Sequence, residues 1–224
     1  LTASFMCSES LKILLDAFKN IKDNNDYLKA DKRVNLVHKL VTEWNELVGN
    51  NLVIGQMLDL QVDVRGLLNV DLSINNDALL IMTYKTSSIF ILSFILGAIY
   101  SCNKNLDYEE FKNMGLNFGI LFQIVNDFCD LEEDRENKNT NFILSNGFVN
   151  SLKVYMDKKR EMLKLLKNNN LFTREMMQLI KELDEKLILN IKLAFSKPTN
   201  LSLNTQPVLN KQYCIKLLKT IVRL

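Results

Sequence analysis

The sequence predicts an all-α fold, on three observations. Glycine and proline are scarce, at 7 and 2 in 224 residues, so turns are few and long helices follow. Alternating apolar runs at hairpin spacing are absent. Apolar residues recur instead every three or four positions, as Val34, Val37, Leu40, Val41, Trp44, Leu47 and Val48 do.

The elements follow in order. Residues 4–21 carry Phe5, Leu11, Leu14, Leu15 and Phe18 at helical spacing, and the polar run 23–26 ends that helix. A long second helix is expected over 31–64, adding Val53, Ile54, Met57, Leu58 and Leu60 to its apolar face. Gly66 and residues 72–77 connect it to a third helix over 79–102. Within the third, residues 86–101 are sixteen positions without a charge. That is short of the roughly 20 needed to cross a bilayer, so a buried core helix is expected and no transmembrane segment. A fourth helix runs over 107–133, with Asp107 as N-cap and Glu109 and Glu110 in its first turn. Residues 134–140 read as a polar loop. Amphipathic helices follow over 145–166 and 173–195, then an Asn/Ser/Thr-rich stretch at 198–207 and a short helix over 209–222. The organisation is thus one helical domain over 1–195, followed by a mobile segment plus short helix over 196–224.

Composition excludes several function classes. The formal charge is +2 and the pI about 8.3, with acids and bases interspersed, so no basic stripe points to nucleic acid. Cys7, Cys102, Cys129 and Cys214 are far apart and fit neither a disulfide framework nor a zinc spacing. Reduced thiols in a cytoplasmic protein are expected. His38 is the only histidine, which removes a Ser-His-Asp triad and a His-rich metal site.

Three constellations carry chemistry. In the stretch 119–130, Gln123, Asn126, Asp127 and Asp130, with Asp134 beyond, lie three or four apart and share a helix face; Phe122, Ile124, Val125 and Phe128 form the other. Grouped carboxylates repel unless a cation sits between them, and hard divalent ions such as Mg²⁺ take such oxygens. A solvated acidic face running on to Glu132 and Glu133 is the bland reading. Lys85-Thr86 opens the uncharged helix: Lys85 either snorkels or presents a cation to a diphosphate. Gln56 and Asp59 are polar residues in an apolar helix and need partners, either within the core or at a polar cavity.

Taken in order, Gly55-Gln56-Met-Leu-Asp59-Leu, Lys85-Thr86 and Phe122-Gln123-Ile-Val-Asn126-Asp127-Phe-Cys-Asp130 resemble the downstream motifs of the trans-isoprenyl diphosphate synthase (polyprenyl synthetase) family. The resemblance covers roughly residues 1–190, and 141–147 is similar to a shortened loop of large-DNA-virus homologues. It implies the isoprenoid (terpenoid) synthase helical bundle around a deep central cavity, usually as a homodimer. It also implies Mg²⁺, three ions with the substrate diphosphate, and condensation of an allylic prenyl diphosphate with isopentenyl diphosphate into a short-chain product of farnesyl or geranylgeranyl type. Carried over by position, Asn126, Asp127, Asp130 and Asp134 belong to the metal motif. Lys85 binds the allylic diphosphate, Thr86 and Gln123 line the leaving-group region, and Gln56 stabilises the carbocation.

The sequence departs from the family in two ways. Asn126 stands where the family has an aspartate, which removes a negative charge, and the family's basic residues after this motif have only Lys138 as a counterpart. The first aspartate motif and the isopentenyl diphosphate residues are expected upstream of Leu1, so the chain is read as N-terminally incomplete. Asn126, Asp130 and Asp134 also resemble the metal triad of class I terpene synthases, which ionise a prenyl diphosphate without isopentenyl diphosphate. A non-catalytic regulatory subunit is the third reading.

Overall fold

A computed structural model describes residues 12, 15, 16, 30–60, 77–100, 107–196, 216 and 218–221. Among these residues every regular element is helical, as expected of an all-α chain. The expected tail segment 198–207, the connection 61–76 and nearly all of the first predicted helix lie outside the described residues, as do Cys7, Cys102 and Cys214.

The long second helix is α1 (Ala30–Trp44) and α2 (Val53–Asp59), joined by a π-helical stretch over Asn45–Leu52. Backbone angles at Trp44 and Val53 remain right-handed helical, so the rod is continuous with one widened portion. The apolar third helix repeats this plan: α3 (Asp77–Ile81), a π stretch over Met82–Ser87, and α4 (Ser88–Tyr100). Widened turns of this kind collect at functional sites, and the second one carries Lys85 and Thr86. The segment Ala78–Ile99, 22 residues, is long and apolar enough to cross a bilayer by length and composition alone. Within it, Ser87 Oγ donates to Met82 O of the same rod at 3.2 Å and across to Leu116 O of the next helix at 3.4 Å, and Ser88 Oγ donates back to Tyr84 O at 2.6 Å.

α5 (Tyr108–Cys129) is the central helix. Asp107 caps it as expected, its Oδ1 accepting from Glu109 N at 2.9 Å. Met114, Phe118, Leu121, Ile124, Val125 and Phe128 are buried along it. It packs against α4, the Lys85 stretch, α8 (Phe148–Asn168) and α9 (Arg174–Ser196). A second core, of Leu40, Trp44, Leu47, Val48, Leu92, Ile95 and Ile99, joins α4 to the first rod. Lys112 reaches across from α5 to buried Glu43 at 3.0 Å.

Three boundaries differ from expectation. The second helix, expected to 64, ends at Asp59 with Leu60 as its C-cap. Helix does not stop before 134: it bends at Asp130 and resumes as α6 (Leu131–Asn137), ending on Lys138 in the left-handed conformation at φ 56°. The bend is mild because Asp130 N still donates to Asn126 O, and Asp134 N to Asp130 O, at 2.9 and 2.8 Å. The helix expected from 145 begins earlier, as α7 (Phe142–Asn146), and is broken by Gly147 at φ 76° before α8. A side chain is disfavoured at that angle, so the break needs its glycine.

Candidate active site

The site is built where three rods meet with almost no space between their backbones. A Cβ placed on Gly55 would fall 2.3 Å from Lys85 N, and one on Gly119 would fall 2.5 Å from Ser87 Cα. Only glycine permits such contact, so Gly55 and Gly119 grip the Lys85–Ser87 stretch from opposite partners, α2 and α5. Residues distant in sequence are thereby set side by side.

Two polar connections cross these seams. Lys85 Nζ donates to Asp59 Oδ2 in an ion pair between the apolar rods. Asp59 has thus found the partner its apolar setting required. On the other side, Thr86 Oγ1 donates to Gln123 Oε1 at 2.6 Å, and Gln123 Nε2 donates to Asp127 Oδ1 at 2.6 Å. Asp127 Oδ2 accepts from Phe142 N at 2.7 Å. The polarity of the relay follows from its end. An ionised carboxylate only accepts, so it draws the Gln123 amide nitrogen, which turns Oε1 towards Thr86. Thr86 spends its proton on that oxygen and is left with lone pairs.

Asp127 is buried, 5% exposed. Burial pushes its carboxyl up to about 6; the Phe142 and Gln123 hydrogen bonds oppose this, and Asp134 and Asp130 add to it. Asn141 braces the same corner. Its Nδ2 donates to Asp127 O and to Asp134 Oδ2, both at 2.9 Å, while its Oδ1 accepts from Ile143 N and caps α7. Asn139 Nδ2 holds Asp134 Oδ1 at 3.1 Å. Asn126 Oδ1 accepts from Lys186 Nζ of α9 at 3.4 Å, and Asp130 is exposed.

The structure therefore brings Lys85, Thr86, Gln123 and Asp127 together and places Asn126, Asp130 and Asp134 on the adjoining polar face. Gln56 stands exposed on α2, outside the relay, and Lys138 is exposed beyond α6. Sequence reasoning missed Asn141, the Phe142 N–H, Lys186 and Asn190. Asn141 carried a signal, an N-cap residue before the apolar run Phe-Ile-Leu. The two residues of α9 carried none.

Among the described residues no group of three His, Cys, Asp or Glu side chains converges as a metal cluster. The donor chemistry still fits a hard divalent ion. Asp130 and Asp134 carry carboxylate oxygens and Asn126 an amide oxygen, and a cation would offset the repulsion that Asp134 and Asp130 add to burial at Asp127. Mg²⁺ needs no more than one or two protein carboxylates when phosphate and water complete its shell.

The described residues form an all-α bundle with this relay at a triple helix junction, and the polyprenyl synthetase family model matches residues 1–183. The chain belongs to that family. It is 30% identical over 125 residues to the farnesyl diphosphate synthase of Micrococcus luteus, a match covering 56% of this chain and 39% of that protein. It is 28% identical over 125 residues to the farnesyl diphosphate synthase of Bacillus subtilis (strain 168), covering 55% and 39%. The matches thus span about two-fifths of the length of these curated relatives.

Proposed function

We propose that this chain acts as a Mg²⁺-dependent trans-prenyltransferase that joins an allylic prenyl diphosphate to isopentenyl diphosphate, giving a short-chain product. The observation that carries this reading is the Thr86–Gln123–Asp127 relay beside the Lys85–Asp59 pair, in a member of the polyprenyl synthetase family. The two named relatives, both farnesyl diphosphate synthases, support it. A homodimeric, cytoplasmic enzyme goes with the same reading.

In the reaction the allylic C–O bond breaks and its electron pair leaves with the diphosphate. The isopentenyl double bond then forms the new C–C bond, and a proton is lost. Lys85 directs the diphosphate by its ammonium, while Asp59 holds that ammonium in place. Thr86 Oγ1 presents lone pairs because its proton is committed to Gln123, so an electron-rich oxygen faces the developing allylic cation. Asp127 keeps Gln123 in the orientation that commits Thr86. Because the relay is built before substrate arrives, little reorganisation is left for the reaction. Asp130 and Asp134, with the Asn126 amide beside them, would hold Mg²⁺, which would supply charge neutralisation for the leaving diphosphate.

A second reading, a class I terpene synthase, is favoured by one observation. The hydrogen bonds Asp130 N to Asn126 O and Asp134 N to Asp130 O keep these three residues at successive helical turns across the bend. The test supplies the full-length protein and Mg²⁺ with geranyl, farnesyl or geranylgeranyl diphosphate, each with and without isopentenyl diphosphate. Longer prenyl alcohols after dephosphorylation, only when isopentenyl diphosphate is present, support the transferase. Hydrocarbons or cyclic alcohols from one allylic substrate alone would establish the synthase of terpenes instead. Silence with every substrate would sink both and leave the regulatory subunit.

A further inference from the structure

The two lysines at this site differ in what surrounds their charge. Lys85 is neutralised by Asp59. Lys186 meets a neutral amide: its Nζ donates to Asn126 Oδ1 at 3.4 Å, and among the described residues it forms no ion pair. An ammonium has three donors, so two remain, together with a full positive charge.

The lysine is brought there by fixed structure. One turn further along α9, buried Asn190 donates through Nδ2 to Val125 O at 3.2 Å, pinning α9 to the site helix beside Asn126. Just before it, Asp184 is anchored by buried Lys159 at 2.6 Å and by Tyr155 OH at 3.0 Å. Lys186 sits between these anchors on an exposed face. Asn126 lies three residues beyond Gln123 on α5, about 4.5 Å along the axis. The Thr86 contact at Gln123 and the Lys186 contact at Asn126 therefore lie about one helical turn apart on α5. An aspartate at 126 would take the Lys186 ammonium into an ion pair; the asparagine holds it through a neutral oxygen.

We propose that Lys186 is a binding residue for the diphosphate of the substrate, supplying from α9 an unpaired cation that Asn126 positions without neutralising. This rests on the allylic-diphosphate reading above. The amide at 126 and the lysine at 186 act as one device, trading a metal-binding carboxylate for a protein ammonium.

The test measures binding of inorganic pyrophosphate, in buffer containing Mg²⁺, by isothermal titration calorimetry on the full-length protein. Lys186→Gln is expected to weaken binding about tenfold, roughly 1.4 kcal/mol, with an unchanged melting temperature. Lys186→Arg keeps the charge and is expected to bind within about threefold of the parent protein. Unaltered affinity in Lys186→Gln would overturn the proposal, as would equal losses in the Gln and Arg variants, which would assign the side chain to packing. Lys85→Gln separates the two readings. If it weakens pyrophosphate while Lys186→Gln does not, only this inference falls. If the parent protein itself fails to bind pyrophosphate, the diphosphate reading falls and takes the inference with it.

Discussion

Gly55 and Lys85 touch backbone to backbone: a Cβ on Gly55 would lie 2.3 Å from the Lys85 amide nitrogen and 2.7 Å from its Cα. Neither atom is the end of a flexible side chain, so an alanine must part the two rods. Gly55→Ala is expected to destabilise the protein by about 1–3 kcal/mol, the usual cost of overpacking, and to lower pyrophosphate affinity by displacing Lys85. Gly97 is the control, since nothing lies within 4 Å of its Cβ position and it sits inside α4. Gly97→Ala should stabilise by roughly 0.5–1 kcal/mol through helix propensity. Urea denaturation of both variants checks the pair; equal effects would sink the contact argument.

Thr86→Val removes the hydroxyl that donates to Gln123 Oε1 at 2.6 Å while keeping the shape. The orphaned amide oxygen should cost about 1–2 kcal/mol of stability. Turnover should fall by more than substrate affinity if that oxygen serves the developing cation as proposed. Steady-state kinetics decides this: a change in KM with kcat intact would place Thr86 in binding alone.

Asp127 gives a pH signature. Burial holds its carboxyl at about 6 against an ordinary 3.8, so folding disfavours the ionised form. As pH falls, the folded chain takes up this proton before the unfolded chain does. Stability of the metal-free protein should therefore rise as pH drops through about 6 towards about 4. The same contribution, at most roughly 3 kcal/mol, is lost as pH rises again. Asp127→Asn retains an acceptor for Phe142 N–H and should flatten this slope. Urea midpoints across the range measure it, and an identical slope in the variant would assign the effect elsewhere.

Among the described residues, Lys159 and Asp184 form a buried ion pair outside the site. Lys159 is 3% exposed, and its Nζ donates to Asp184 Oδ2 at 2.6 Å and to Ile221 O at 2.7 Å. Lys159→Met leaves Asp184 buried without its cation and should cost about 3–5 kcal/mol. The double variant Lys159→Met/Asp184→Leu should recover much of that loss. A double variant as unstable as the sum of the singles would show that the two groups act independently.

How much of this was legible beforehand depended on the range of the physics involved. Asp107 announced the start of α5, because capping is decided within a single turn. Asn141 and Gly147 are local signals too, starting α7 and α8, yet the spacing reads as one helix from 145. An Asn before three apolar residues competes with a loop reading when several Asn surround it. The two π-helical stretches had no signature, since a widened turn uses the residue types of any helix.

The sequence by itself determined the helices and put Gln123, Asn126, Asp127, Asp130 and Asp134 on one face, because helical periodicity depends only on spacing along the chain. It also put Lys85-Thr86 and Gly55 into the same family pattern. Only the tertiary structure decided that Asp127 is buried under the Phe142 N–H while Asp130 remains exposed, and that Gln56 stays outside the relay. It alone paired Lys85 with Asp59 and brought Lys186 to Asn126, 26 and 60 residues apart. The reason is that one helical face is wide enough to meet two environments. Which of its carboxylates loses water, and which cation stands beside them, is settled by how neighbouring helices pack, and that contact is absent from the spacing of the residues themselves.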